Sequence, residues 1–231
     1  MISSAVELAS HRDALIEQVQ KQLAGDERVV AAWLHGSIGR GERDAWSDID
    51  LVVLIEETHY SEFWDDRQSL FDAIGNQMFQ QHPIPGNSMV SGGNFQLIVF
   101  EGPVEIDWTV APATGASRPA DTRLLFERRQ IPVVESPAPT RSESEVQDRL
   151  EFFWAMAPIA VKYAARDDML RTAGMISVLR DTLDKADRPK LTRLNRQIAL
   201  VEIQRLCTEA IDQKYTAIAS EIDRLIMLAA E

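Results

Sequence analysis

Trp33-Leu34-His35-Gly36-Ser37-Ile38-Gly39-Arg40-Gly41, and downstream of it Ser47-Asp48-Ile49-Asp50-Leu51-Val52-Val53-Leu54, form the stretch whose reading decides the fold of this chain. Apolar runs flank both halves, which predicts two buried strands, Val29 to His35 and Asp48 to Ile55. A short helical turn is expected around 37–43. Strand residues two apart share a face. Asp48 and Asp50 therefore present two carboxylates side by side next to an apolar core. Two like charges so placed are costly without compensation. A divalent cation compensates them, and hard oxygen ligands suit magnesium, as one or two ions.

Outward from this stretch, residues 4–24 read as a helix. Ser4-Ala5-Val6-Glu7 fits a capping box, and Leu8, Leu15, Val19 and Leu23 recur on one face. Ser61 to Gln80 reads as a second helix with Phe63, Trp64, Phe71, Ile74 and Met78 inward. Residues 82–94, rich in Pro, Gly, Asn and Ser, read as a long loop of the kind that closes over a site. Phe95–Phe100 and Val104–Val110 flank Glu101-Gly102-Pro103 and predict a hairpin. Arg123–Val134 fits either a short helix or a final strand.

Glu135-Ser136-Pro137-Ala138-Pro139-Thr140 has neither period and marks a boundary. A second capping box, Ser142-Glu143-Ser144-Glu145, opens a helix to about Arg166. Further helices are expected over 168–186, 192–211 and 214–229. The layout is α+β: an N-terminal mixed-sheet domain with flanking helices over 1–135, then an all-α helical bundle over 141–231.

The net charge of −12 argues against a surface built for nucleic-acid phosphates, and so against a polymerase. It suits a cationic small-molecule substrate. One cysteine, Cys207, sits in a helical pattern and reads as a packed thiol. No apolar run approaches the roughly 20 residues needed to span a bilayer. The start of the chain lacks the pattern of a signal peptide, so the expected location is the cytoplasm, with no membrane partner.

A reaction centre needs a third carboxylate. Val104-Glu105-Ile106-Asp107-Trp108-Thr109-Val110 offers Asp107, with Glu105 its rival on the same face. If this strand lies beside that of Asp48 and Asp50, three carboxylates converge. Such a cluster holds metal and supplies a base. Gly36-Ser37 supplies the other half: a glycine at a strand end lets backbone approach a ligand, and the Ser37 hydroxyl and Arg40 offer donors to phosphate.

The Gly36-Ser37 pair followed by Asp48-Ile49-Asp50 between apolar flanks resembles the signature of the DNA polymerase β-like nucleotidyltransferase superfamily. The fuller string Gly36-Ser37-Ile38-Gly39-Arg40-Gly41 with Ser47-Asp48-Ile49-Asp50-Leu51 is similar to its antibiotic-modifying branch, the aminoglycoside and lincosamide nucleotidyltransferases. The resemblance implies that Asp48 and Asp50 bind magnesium, that Ser37 and Ser47 lie near the triphosphate, and that Asp107 deprotonates the acceptor hydroxyl. More loosely, Phe152-Phe153-Trp154, Ala160-Val161-Lys162 and Arg166-Asp167-Asp168-Met169-Leu170 resemble the first bundle helices of aminoglycoside 6-adenylyltransferase-like proteins. That likeness implies Lys162 and Arg166 on the nucleotide phosphates.

The expected activity is transfer of a nucleoside monophosphate, AMP from ATP or its counterpart from another triphosphate, to a hydroxyl of a small molecule, by a monomer or homodimer. Two other classes compete. A toxin–antitoxin nucleotidyltransferase would modify a protein partner, but such chains are much shorter and lack a fused helical domain. A non-catalytic nucleotide-binding regulatory module would have no need to bury three acids together. At single positions, Arg40 is as well explained by a surface pair with Glu42 or Asp44, and Lys162 and Arg166 by a solvated helix face. Trp33, Trp64 and Trp154 read as core.

Overall fold

A computed structural model describes residues 2–85, 90–135, 148–184 and 194–231. The chain divides into two compact units, one of Ala9–Ser144 and one of Met1–Leu8 with Glu145–Glu231. The proline-bearing boundary 136–140 and the Ser142–Glu145 capping box lie outside the described residues.

The first unit is built on a mixed sheet. Its strands are β1 (Val29–Leu34), β2 (Ile49–Ile55), β3 (Gln77–Gln80), β4 (Ile84–Pro85), β5 (Asn94–Phe100), β6 (Val104–Pro112) and β8 (Arg123–Glu127). Their order across the sheet is β3-β5-β6-β2-β1-β8, with β4 on β5. A separate parallel pair joins β7 (Arg118–Pro119) to β9 (Val133–Val134). The expected hairpin forms as β5–β6, antiparallel from Asn94↔Val110 to Phe100↔Val104. At the centre β2 and β6 run parallel, from Ile49↔Ile106 to Ile55↔Pro112. A central parallel pair is covered on both faces, which is why both strands read as nearly unbroken apolar runs.

Helices α1 (Ala5–Gly25) and α3 (Tyr60–Ile74) serve one face. Phe71 of α3 meets Trp108 at 5.1 Å between ring centroids, and Gln18 of α1 donates to the Ala73 carbonyl at 2.9 Å. Leu15, Ile16, Val19 and Leu23 form the buried stripe of α1. The other face carries a smaller cluster of Ala31, Trp33, Val52, Leu54 and Ala111, closed by Ala113, Ala116 and Ile131 with Val90 against it. Burying aliphatic and indole surface of this kind contributes about 1.5–3 kcal/mol per large side chain.

Two expectations are corrected here and one open reading is resolved. The helix read over 61–80 stops at Ile74: Gly75 ends it, its N–H bonded to the Phe71 carbonyl, and the chain re-emerges as β3. Met78 thus belongs to a strand, and Trp64 is half-exposed beneath the Arg67 guanidinium, 4.1 Å from the ring centroid. Within the loop read over 82–94, Ile84–Pro85 pairs with β5 and Asn94 already belongs to it. The ambiguous segment 123–134 gives strand at both ends: Arg123–Glu127 forms β8 on the free edge of β1, and Val133–Val134 forms β9 beside β7.

The second unit consists of α4 (Arg149–Ala165), α5 (Met169–Thr182), α6 (Arg196–Ala210) and α7 (Thr216–Ala230) among the described residues. Caps start three of them: Asp148, Asp168 and Asn195 each accept a backbone N–H from the first turn. Phe153, Trp154, Val161, Ile176, Ile203, Leu206, Ile222 and Leu225 are buried. Trp154 stacks on Tyr215 at 5.9 Å. No helix among the described residues is long and apolar enough to cross a membrane.

Cys207 of α6 is buried at 4 % exposure, and burial pushes its thiol up to about 12, with Asp223 adding to the effect. At pH 8 that leaves a thiolate fraction of roughly 10⁻⁴. The native protein is therefore expected to give no colour with Ellman's reagent over minutes at pH 8, and one thiol per chain once unfolded in guanidinium. A rapid native reaction would contradict this packing.

Candidate active site

The two central strands are buried along their length with telling exceptions. In β2 the half-buried residue is Asp50, its six strand companions being fully buried. In β6 the half-buried residues are Asp107 and the terminal Pro112. Asp50 and Asp107 are direct register partners. The sheet thus opens to solvent where two aspartates stand on adjacent strands, about 4.8 Å apart in backbone spacing. Both continue the face of Val52, Leu54, Thr109 and Ala111, away from α1 and α3.

Asp48 precedes β2, which begins at Ile49, so it lies in the turn leading into the strand rather than in the strand itself. Glu105 shares the face of Asp107 but is 2 % exposed, and its counterpart across the sheet falls ahead of the first β2–β6 pair. The register therefore favours Asp107 over Glu105 as the partner of Asp50. Among the described residues, no three His, Cys, Asp or Glu side chains stand together as a complete metal cage.

The approach to Asp50 is shaped by Gly36. The His35 N–H donates to the Asp50 carbonyl at 2.9 Å, which carries the β1–β2 pairing one step past β1. Gly36 then turns the chain with φ +59° and opens α2 (Gly36–Gly39). A Cβ at Gly36 would lie 1.9 Å from Asp50 Oδ2. The glycine thus makes a cradle that the aspartate carboxylate fills. Burial, with a smaller push from Arg40 and against Asp121, brings the His35 imidazole down to about 4. His35 is neutral at physiological pH.

Ser37 and Ser47, ten residues apart, are joined: Ser37 Oγ donates to Ser47 Oγ at 2.9 Å. Ser47 Oγ also accepts from the Asp44 N–H and donates to Asp44 Oδ1, each at 3.0 Å. The Ser47 hydroxyl is thereby saturated, one proton given and two accepted. The Ser37 hydroxyl is thus directed at Ser47. Arg40 follows its surface reading: Nε pairs with Glu42 Oε2 at 2.8 Å, both side chains exposed. In the helical unit, Lys162 of α4 is 3 % exposed, which excludes the solvated-face reading for it, and Arg166 is exposed at the α4 C-cap.

Arg12 went unread in the sequence, and Asp44 was read only as an alternative surface partner of Arg40. Arg12 of α1 is 3 % exposed, and its Nη1 donates to the carbonyls of Asp44 at 2.5 Å and Ser47 at 3.4 Å. Asp44 binds the Trp46 N–H and the Ser47 hydroxyl, fixing the turn ahead of Asp48. The available signal for Arg12 was its place on the Leu15–Val19–Leu23 stripe.

Residues 17–80 match the family model described as polymerase beta, nucleotidyltransferase. The match takes in β1, the Gly36-Ser37 turn, Asp48, Asp50 and α3, and stops short of Asp107. Over that stretch the chain is similar to the family, in agreement with the resemblance drawn from the sequence. Among solved structures, it is similar to an aminoglycoside 6-adenyltransferase from Bacillus subtilis, at 14% identity over 96% of this chain and 92% of that one, with a TM-score of 0.34. No curated protein matches it.

Proposed function

We propose that this enzyme transfers a nucleoside monophosphate, AMP from ATP in the leading case, to a hydroxyl of a small molecule and releases pyrophosphate. The observation that carries the reading is the register pairing of Asp50 with Asp107 at the open point of two otherwise buried strands. Asp48, Asp50 and Asp107 offer hard oxygen donors, and the absence of a side chain at Gly36 leaves the space that the Asp50 carboxylate occupies. That donor set fits magnesium. When bound, the ion would neutralise triphosphate charge.

The chain's own groups do the rest. Asp107 accepts the proton as the acceptor oxygen attacks the α-phosphorus; the bond from that phosphorus to the bridging oxygen breaks, and pyrophosphate leaves with the electron pair. Backbone at Gly36-Ser37 approaches the phosphates. The net charge of −12 draws a polycationic acceptor such as an aminoglycoside.

The test is a pyrophosphate-release screen with ATP, GTP, CTP and UTP and Mg²⁺ against aminoglycosides and lincosamides. At least one pair should give turnover that EDTA abolishes and a product heavier by one nucleoside monophosphate. Full magnesium-dependent turnover by Asp50→Asn would sink the assignment.

A further inference from the structure

Arg12 is a buried cation of the sheet-bearing unit that the mechanism leaves unused. It stands one turn ahead of Leu15 and Ile16 on the core stripe of α1, a position where a charged group is costly unless its donors are met. Nε and Nη2 reach Asp13 Oδ1 at 3.2 and 3.1 Å. Nη1 reaches the Asp44 and Ser47 carbonyls at 2.5 and 3.4 Å. Asp13 is held in turn by Arg43 at 3.4 Å. A planar fork with donors on several sides serves such an arrangement, and a lysine ammonium does so only in part.

The segment it grips is the turn that delivers the site. The Asp44 carbonyl also accepts the Ser47 N–H at 3.4 Å, the Asp44 carboxylate accepts the Trp46 N–H at 2.9 Å, and the Ser47 hydroxyl is bound by Ser37. Asp48 is the next residue. One guanidinium therefore fixes, through two carbonyls, both the Ser37–Ser47 bridge and the point at which the metal-binding strand begins.

We infer that Arg12 is a positioning residue for nucleotide and metal binding, acting through the 44–47 turn without touching substrate. This rests on the reading of the Asp50–Asp107 site given above. Removing the grip lets Asp48 sample positions from which it no longer binds, so the loss falls on affinity before it falls on turnover of bound substrate.

The test measures Mg²⁺ with the α,β-methylene analogue of ATP by calorimetry, in wild type, Arg12→Lys, Arg12→Met and Asp50→Asn, with the folded fraction of each taken from its thermal transition. Arg12→Met is expected to raise the analogue's Kd about tenfold or more, as expected on losing charge-assisted hydrogen bonds, and Arg12→Lys to raise it less. In steady state the same order should appear in KM, with kcat changed less. A purely structural arginine would lower the number of binding-competent molecules and leave their Kd alone; that result overturns the inference. If Arg12→Met fails to fold, Arg12→Lys decides by the same criterion. If Asp50→Asn binds the magnesium analogue as wild type does, the failure lies in the site assignment rather than in Arg12.

Discussion

Asp107→Asn is expected to fold, to melt no lower than wild type without metal, and to turn over roughly 10²- to 10⁴-fold more slowly. The reasoning starts from register. Asp107 and Asp50 are paired across parallel strands on one face, each the point where its strand opens to solvent. Two carboxylates at neighbouring positions repel, so converting one to an isosteric amide removes repulsion and leaves the packing of Ile106 and Trp108 untouched. A gain of about 1 kcal/mol would raise the melting temperature by roughly 2–4 °C. The same change removes the acceptor for the hydroxyl proton and one anionic oxygen from the ligand set. Magnesium should therefore stabilise wild type by mass action and stabilise Asp107→Asn far less. Scanning fluorimetry with and without Mg²⁺, beside steady-state rates, checks both halves. An unstable, inactive variant would place Asp107 in the structure rather than in the chemistry. A stable, fully active one would move the base to Glu105 or elsewhere.

What could be read in the sequence was local, and what could not was pairing. The apolar runs around Gly36-Ser37 and Asp48-Ile49-Asp50 announced β1 and β2, and alternation in Val104–Val110 put Asp107 and Glu105 on one face. Nothing local encodes that β6 lies parallel to β2 with Asp107 beside Asp50. That contact closes only after α3, β3 and β5 have been laid down, and parallel neighbours always need such a crossover. The helix read through residue 80 failed for a different reason. Phe71, Ile74 and Met78 keep helical spacing across Gly75-Asn76, so periodicity ran past a break that the dipeptide itself signals. Segment 123–134 was ambiguous because Leu124-Leu125-Phe126 is a run rather than an alternation, and its strand state depends on the edge of β1. Arg12 escaped notice because arginine on a helix ordinarily faces water; only its place on the buried stripe marks it.

Gly36→Ala is expected to abolish measurable transfer, and Gly41→Ala, five residues on, to preserve it. The pair separates backbone strain from site geometry. Both glycines have positive φ, +59° and +75°, so both alanines force a conformation that L-residues resist. That shared strain is about 1 kcal/mol. Around Gly41 a new Cβ meets nothing within 4 Å. At Gly36 it lies 1.9 Å from Asp50 Oδ2 and 2.7 Å from Cγ, distances no rotation of the new methyl relieves. Either Asp50 swings away from its place opposite Asp107, or the turn joining β1 to α2 shifts and takes Ser37 with it. Both routes disrupt the arrangement on which metal and phosphate binding rest. The further stability loss at Gly36 should be about 1–3 kcal/mol, read as a larger drop in urea midpoint than in Gly41→Ala. Transfer should fall at least 100-fold, and Mg²⁺ should no longer raise the melting temperature. Equal turnover by the two alanine variants would show that the carboxylate beside Gly36 has no part in the chemistry.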